Sequence, residues 1–441
     1  MFDFNVGYNG SENFAPENRF GIFPAGSVGW AVSEEKFWEP VKKYIGYMKL
    51  RASIGKVGND KIGGDRFMYT DDTYVLGGGY NFGINVGSKG GAYEGTKHNP
   101  DVTWETAVKQ NYGIDLSFLD DRLKTSFDYY IEHRDNILVR DYSAPVLLGF
   151  TLPYANLGKV DSWGYEISLK WNDKIGKNFR YWIEPNLSYN QNEIIEMKEA
   201  PQNYAYMMQK GHRIGSRSVR QFWRYYGPES AELYYNQFGT YIAEHAGGLE
   251  YGDAVYVDLN GDGIIDDNDA SRELKTYTDD PEFMAGMNMG FQWKNFTVTM
   301  QWTGAWNVSR MLDETFRQPL GDTYAKGLLQ YQYENTWTLD NPSQDAAYPR
   351  ISAAHSRNNT AGSTLFVADA KYLRLKSMQI TYNFRFPFMQ KIGMNTCALS
   401  FSGYNLFTMS PFKWGDPESR TSDRPSYPLT RTFALSLKLG F

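Results

Sequence analysis

The stretch that restricts the fold most is the final one, TRTFALSLKLGF, at residues 430–441. Phe433, Leu435, Leu437, Leu439 and Phe441 share one parity, and Ala434, Ser436, Lys438 and Gly440 share the other. Successive side chains of a strand point to opposite faces, so one face carries an unbroken apolar stripe and the other small or polar groups. The stretch closes on an aromatic ring with no polar tail behind it. That suits a strand ending at the rim of a membrane barrel with its last ring at the interface. The expectation is the closing strand of an all-β, antiparallel transmembrane β-barrel.

Average hydropathy is no obstacle to that reading. Mean hydropathy is −0.55, and no run approaches the roughly 20 apolar residues of a spanning helix. In a barrel only alternate residues face lipid and the loops are polar, so the average looks water-soluble. Aromatic residues at 16% suit interfacial girdles but also a sugar-binding sandwich, so they do not decide between the two. The single cysteine, Cys397, excludes an internal disulfide framework and reads as a small strand residue. A net charge of −6 with dispersed basic residues argues against a nucleic-acid partner. Met1 is followed by FDFNVGY, which alternates like a strand already under way and not like a signal peptide. The expectation is a chain whose true beginning is missing.

Further alternating stretches follow in order. They are Phe2 to Tyr8, about Arg19 to Val32, Met48 to Ile54, and a pair from Tyr112 to Phe118 and Leu123 to Ile131 about a two-residue turn at Asp120-Asp121. Tyr165 to Trp171 returns through NDKIGKN as Phe179 to Tyr189, with Pro185 as a possible bulge site. Met287 to Trp293 turns at Lys294-Asn295 into Phe296 to Trp302. Leu373 and Leu375 are out of phase with Met378, Ile380, Tyr382 and Phe384, so a bulge is expected near Ser377. Leu399 and Phe401 mark the eleventh strand and Thr430–Phe441 the twelfth.

The links between these strands sort by parity. Those after even-numbered strands are short. Those after the third, fifth, seventh, ninth and eleventh are long, at about 58–107, 134–162, 191–285, 303–370 and 407–429. An up-and-down outer-membrane barrel has short periplasmic turns at one end and long external loops at the other, whereas a sandwich has no reason to sort its loops. Trp171, Phe179, Trp293, Phe296, Phe384 and Phe386 fall near the short turns, as an inner aromatic girdle would. Lys49, Arg51, Asp115, Asp128, Glu166, Lys170, Arg180 and Glu184 fall on the lumen parity and mix both signs.

The longest external segment contains VYVDLNGDGIIDDNDA. Counting from Asp258, side-chain oxygens fall at loop positions 1, 3, 5, 9 and 12 as Asp258, Asn260, Asp262, Asp266 and Asp269. Ile264 holds position 7, where a backbone carbonyl serves, and Gly263 holds position 6, where the chain turns sharply. This is EF-hand-like spacing with Asp in place of the last Glu, and it points to Ca2+ as a loop-stiffening ion. The competing reading is an Asp- and Gly-rich turn that forms without metal. No amphipathic helices flank it.

Catalysis finds no support. His98, His133, His212, His245 and His355 are scattered, and none sits in a nucleophile motif. The glycines at 77–79 lack the Lys-Ser/Thr of a phosphate loop. The aromatic runs Asn203 to Met208 and Trp223 to Tyr226 are as suited to packing a loop as to stacking on sugars or peptides.

Several segments together resemble the SusC/RagA group of TonB-dependent outer-membrane transporters. They are NRFGIFPAGSVGWAVSEEKF, KLRASIGKVGND, NYGIDLSFLDDRLKTSFDYY, NLGKVDSWGYEISLKW, YVDLNGDGIID, KYLRLKSMQITYNF and GYNLFTMSPFKWGDPE, in the order of that family. The resemblance implies the carboxyl-terminal part, over residues 1–441, of a barrel of roughly 22 strands. It implies that the plug, the energy-coupling segment and the signal peptide lie outside this sequence. It also implies import of oligosaccharides or oligopeptides, a SusD-like surface lipoprotein as lid, contact with the TonB complex through the absent amino-terminal part, and outer-membrane lipid around the barrel. Two other readings stay open: a self-contained twelve-stranded porin or outer-membrane hydrolase, and a soluble or surface glycan-binding β-protein.

Overall fold

The computed structural model describes residues 1–61, 66–70, 73–82, 84, 87–143, 150, 152–320, 327–351, 358–419, 427 and 429–441. Twelve strands form one sheet whose hydrogen-bonded order is the order of the chain. They are β1 (Phe2–Gly10), β2 (Phe20–Ala31), β3 (Ile45–Asn59), β4 (Glu105–Phe118), β5 (Leu123–Arg140) and β6 (Tyr154–Ile175). The series continues with β7 (Phe179–Glu196), β8 (Phe283–Trp293), β9 (Phe296–Trp306), β10 (Tyr372–Asn383), β11 (Thr396–Met409) and β12 (Thr432–Gly440).

The register keeps each face chemically uniform. Leu50 lies opposite Ile114, which lies opposite Phe127, while Lys49 lies opposite Asp115, which lies opposite Ser126. Met287, Met289 and Phe291 likewise meet Trp302, Met300 and Val298, and on the other face Asn288 meets Gln301. The apolar face is uncovered: Phe2 and Leu435 are 85% and 71% exposed. The chain forms two compact units, Met1–Ser168 with Tyr189–Gln202 and Met208–Ile214, and Leu169–Ser188 with Asn203–Met207 and Gly215–Phe441.

The expected bulge is present. Gln301 faces Ser377 and Trp302 faces Leu375, so Lys376 is the extra residue that resets the phase. Its other neighbour adjusts too, with Leu375 opposite Phe407 and Ser377 opposite Tyr404, and Asn405 adopts a positive φ of 52°. The Lys294-Asn295 turn is as read, since Trp293 pairs with Phe296.

Three expectations need correction. The turn after β4 is residues 119–122, not two residues: Phe118 pairs with Leu123, and Leu119, Asp120 and Asp121 all take positive φ. The sheet also runs farther toward the long-loop end than the alternation indicated. Strand β4 starts at Glu105, β5 continues to Arg140, β6 starts at Tyr154 and β7 reaches Glu196. In these extensions polar runs such as Glu132 to Asn136 and consecutive apolar residues such as Ile137, Leu138 and Val139 replace strict alternation, so the period-two signal fades while the hydrogen-bond ladder continues. As a result the link after β5, residues 141–153, is no longer than the link after β2, residues 32–44. The parity rule holds for the other even-numbered strands and weakens at that pair.

In the first unit, Phe14, Val102 and Trp104 form a small core with Phe23, Met68 and Leu138. In the second, the described segments 215–282, 307–320, 327–351, 358–371 and 410–419 fold into what we call the loop module. Short strand pairs tie it together: Val219–Arg220 with Ala270–Ser271, Phe222–Tyr225 with Ala254–Tyr256, and Ser309–Met311 with Val367–Asp369. One helix, α1 (Ser230–Phe238), stops at Gly239, whose φ of 74° suits a left-handed C-cap. Ala243, Ala254, Tyr256 and Ile265 make one core, and Leu312, Tyr348 and Phe366 another that takes in Phe412 and Trp414.

Candidate functional site

On the polar face of the sheet, Arg51 of β3 lies between two carboxylates of successive strands. Its Nε donates to Asp115 Oδ2 at 2.8 Å, and its Nη1 and Nη2 donate to Asp128 Oδ1 and Oδ2 at 3.0 and 2.9 Å. Ser126 accepts from Nη2 at 3.2 Å and donates to Asp115 Oδ1 at 2.9 Å. Gly113 makes this reach possible, because a Cβ there would lie 2.6 Å from the Arg51 Cζ. Nearer the long-loop end, Arg134 pairs with Glu105 at 2.8 Å and Glu132 at 2.6 Å, and Lys109 pairs with Glu132 at 3.1 Å. Three cations here face four carboxylates, so both signs are interleaved along this wall.

The loop module is organised around a second ionic group. Arg350 Nε donates to Asp253 Oδ1 at 2.6 Å, and Nη1 pairs with Glu250 at 3.0 Å. Asn359 donates to Asp253 at 2.7 Å and accepts from the Ala254 amide at 2.9 Å, while Asn358 donates to the Ala254 carbonyl at 2.6 Å. Where the sheet meets the module, Arg374 of β10, 2% exposed, reaches Asp416 at 2.6 Å, Glu418 at 2.9 Å and Thr408 of β11 at 3.1 Å. Asp253 and Arg374, each 2% exposed, are paired and hydrogen-bonded, as burial requires.

The histidines do not converge on a reaction. His245 Nδ1 donates to the Ala243 carbonyl at 2.8 Å and Nε2 accepts from the Tyr256 amide at 3.0 Å, so the neutral ring serves two backbone groups. Burial pushes its pKa below the ordinary value, with Arg220 adding to the effect and the Ala243 carbonyl and Asp253 opposing it. His133 pairs with Asp161 at 2.8 Å. His355 lies outside the described residues. The Trp223 to Tyr226 run mostly packs. Trp223 meets Tyr234 and Phe238 with ring centroids 5.0 and 6.1 Å apart, and Tyr225 is fully buried. Burial also pushes the hydroxyl of Tyr256 up to about 12.

The Asp258 loop folds through its own carboxylates. Asp258 Oδ1 and Oδ2 accept from the amides of Gly261 at 2.7 Å and Gly263 at 2.9 Å, and both glycines have positive φ. Asn260 accepts from Asp262 N at 3.1 Å, Asp262 from Ile264 N at 2.9 Å, and Asp266 from Asn268 N at 2.7 Å. Asp269, fully buried, closes the loop by accepting from Leu259 N and Asp266 N, each at 2.8 Å. Burial raises the Asp269 pKa, with Asp258 and Asp266 adding repulsion against those two amide bonds. The residues expected to hold a cation are thus gathered in one loop. Among the described residues, however, no group of three or more His, Cys, Asp or Glu forms a ready metal cage.

The module also contains a cavity of about 1070 Å3 lined by Tyr226, Tyr251, Tyr333, Trp337 and neighbours. The aromatic run ending at Tyr226 is the part of it that the sequence shows; the other walls come from residues about a hundred positions apart that share no periodicity.

Residues 2–301 match the family model described as TonB dependent receptor-like, beta-barrel. The chain belongs to the TonB-dependent receptor β-barrel family. It is 27% identical to TonB-dependent receptor P3 of Formosa agariphila over 100% of this chain and 44% of that protein. It is 26% identical to TonB-dependent receptor SusC of Bacteroides thetaiotaomicron over 100% of this chain and 42% of that protein. Among solved structures, the RagAB peptide transporter superposes with a TM-score of 0.77 at 20% identity, covering 100% of this chain and 45% of that one. The chain therefore spans less than half the length of these relatives. As part of a TonB-dependent receptor barrel it is an outer-membrane β-barrel sequence, and its exposed apolar face is the lipid face. That sets aside the soluble sandwich.

Proposed function

We propose that this chain is the barrel portion of a SusC-like importer. It takes up oligosaccharides or oligopeptides with a SusD-like lipoprotein and draws energy through TonB by way of amino-terminal parts that this sequence does not include. What supports this most is the match to SusC along the whole chain on a sheet with one apolar and one polar face. The polar wall around Arg51 then lines the lumen, and the loop module stands at the outer end. The chain performs no covalent chemistry in this reading. An antibody against residues 258–269 should capture from outer membranes a polypeptide of about twice 50.6 kDa, together with a lipoprotein. A captured species of 50.6 kDa without a lipoprotein partner, closing on its own, would sink this reading in favour of a small porin.

A second, separable proposal concerns the Asp258 loop. We propose that it takes Ca2+ through Asp258, Asn260, Asp262, the Ile264 carbonyl, Asp266 and Asp269, all oxygen donors as a hard cation prefers. The ion would stiffen the loop and relieve the repulsion at Asp269. Affinity of about 10⁻⁴–10⁻³ M, as in extracellular modules, is expected, and terbium luminescence competed by Ca2+ measures it. No competition at about 10 mM, tenfold above that range, leaves the metal-free turn as the answer.

A further inference from the structure

The short-turn end of the second unit carries a row of basic side chains beside a belt of rings. Three links follow one another along that end of the sheet. The Lys294 amide donates to the Asn178 carbonyl at 2.9 Å and the Asn383 amide to the Asn295 carbonyl at 2.9 Å, so residues 176–178, 294–295 and 384–395 are neighbours. Together they contribute Lys177, Lys294, Arg385 and Lys391, all exposed, and no Asp or Glu. Along β6 to β11 the acidic side chain nearest these turns is Asp173, which accepts from the Lys174 amide at 2.8 Å.

The rings continue the lipid face. Phe179 stacks on Phe291 with centroids 5.8 Å apart, and Phe291 meets Phe296 at 6.2 Å. Tyr382, Phe384, Phe386 and Phe388 form a column with successive centroids 4.9, 5.6 and 5.8 Å apart. This column outruns the sheet, since β10 ends at Asn383. Beyond it, Pro387–Lys391 makes a helical turn that buries Met389 and leaves Phe386, Phe388 and Ile392 about half exposed. Lys294 Nζ lies over the Trp293 ring, 5.5 Å from its centroid. Rings at headgroup depth with Lys and Arg reaching past them are the make-up of a membrane interface.

Charge sets this stretch of the rim apart. Residues 32–44 also carry rings, Phe37, Trp38 and Tyr44, but with three Glu and three Lys, and residues 119–122 hold two Asp and one Arg. Rings alone accept any phospholipid, whereas an uncompensated row of cations selects an anionic one. The short turns of an outer-membrane barrel face the periplasm, where the leaflet is built of phospholipid.

We propose that this row is a binding site for an anionic phospholipid of the periplasmic leaflet. The Arg385 guanidinium takes two oxygens of the phosphodiester, Lys294 and Lys391 add charge beside it, and the acyl chains lie along Tyr382 and Phe384. The site needs only a barrel standing in the outer membrane, so failure of the importer reading would leave it in place.

The test offers the full-length receptor, purified in detergent, equal amounts of phosphatidylglycerol, phosphatidylethanolamine and lipid A, and reads the bound lipid by native mass spectrometry. Phosphatidylglycerol should be retained over phosphatidylethanolamine, which has the same phosphodiester but an ammonium that cancels its charge. The double variant Arg385→Gln, Lys391→Gln should bind phosphatidylglycerol about 25-fold more weakly, about fivefold for each basic side chain at a membrane surface. Arg385→Lys with Lys391→Arg keeps the charge and should keep the preference. Lys36→Gln with Lys43→Gln, on the link of mixed charge, should leave it unchanged. Equal retention of the two phospholipids, a preference that survives the first double variant, or an equal loss in either of the other two would overturn the proposal. So would tighter retention of lipid A that the first double variant abolishes, which would give the row to the outer leaflet.

Discussion

The sheet and the loop module use the same kinds of side chain in opposite ways. In the module, Tyr225, Tyr256 and Phe366 are completely buried, and water drives them together. In the sheet, Phe2, Phe4 and Leu435 stand outward, 71% exposed or more; their solvent is hydrocarbon, which needs no core to accept them. The sheet spends its polar groups inward on pairs such as Arg51–Asp115, and the module places its polar groups outside or in closed networks such as Arg350–Asp253–Asn359. One chain therefore obeys two hydrophobic rules, and where each applies is open to measurement.

The largest effect should come from the module. Phe366→Ala, at a fully buried ring, should cost about 3–5 kcal/mol of local stability, read as faster hydrogen exchange over residues 254–256 with the β8–β9 ladder unchanged. Loss of protection in both places would mean that the two regions are one cooperative unit. Next comes the lipid face. Ile114→Arg, between Leu50 and Phe127, should cost about 2–4 kcal/mol if it lies near the bilayer midplane, seen in urea unfolding from lipid vesicles, whereas Asn288→Arg on the polar face, opposite Gln301, should cost far less. Equal costs would end the assignment of faces.

A smaller effect separates the regions by pH. The folded pKa of His245 lies below its ordinary 6.5, so the unfolded chain takes up a proton that the folded ring refuses. Stability is therefore full above about pH 6.5 and falls as the pH drops below it, until the folded ring itself titrates. Asp269 has the opposite sign: its raised pKa makes the ionised form costly at neutral pH, and acidification relieves that cost. His245→Gln should flatten module stability between pH 7 and the onset of Asp269 titration, and hydrogen exchange in the Ala254–Tyr256 strand reports it. An unchanged slope would assign the pH dependence elsewhere. The smallest effect is Gly113→Ala. Its new methyl meets only the flexible ends of Arg51 and Asp128, and about 1 kcal/mol should suffice to displace them. A double-mutant cycle with Asp128→Asn should show that the loss is the bridge itself.

The sheet was readable in the sequence because lipid on one side forces strict alternation. Every strand was found, and the phase slip at Ser377 marked the bulge at Lys376. Where the strands leave the membrane, as at Glu132 to Arg134, both faces are polar and the alternation ends before the ladder does. The module was not readable for the opposite reason. Its contacts join distant, aperiodic segments, as in Tyr225 hydroxyl to Ala346 carbonyl at 2.8 Å or Tyr256 hydroxyl to Asn358 carbonyl at 2.7 Å. Only the Asp258 loop was legible, since its oxygens are spaced along a short stretch. Of the cavity walls only Tyr226 falls in a legible stretch, the aromatic run from Trp223, while Trp337 carries no local pattern.

The β8–β9 hairpin lies in sequence between the two principal parts of the loop module. Val219–Ser271 precedes it and Ser309–Asp369 follows, and the two are joined where Arg220 bridges Ser363 and the Phe222 amide meets the Thr364 hydroxyl. A chain made from its amino terminus cannot complete the module until that hairpin exists, and both module parts must lie on the same side of the membrane to meet. Completion of the module is thus a timing event in biogenesis. Protection of the Phe222 and Tyr225 amides, which donate to Thr364 and Gln344, records that the segment made after the hairpin has already docked.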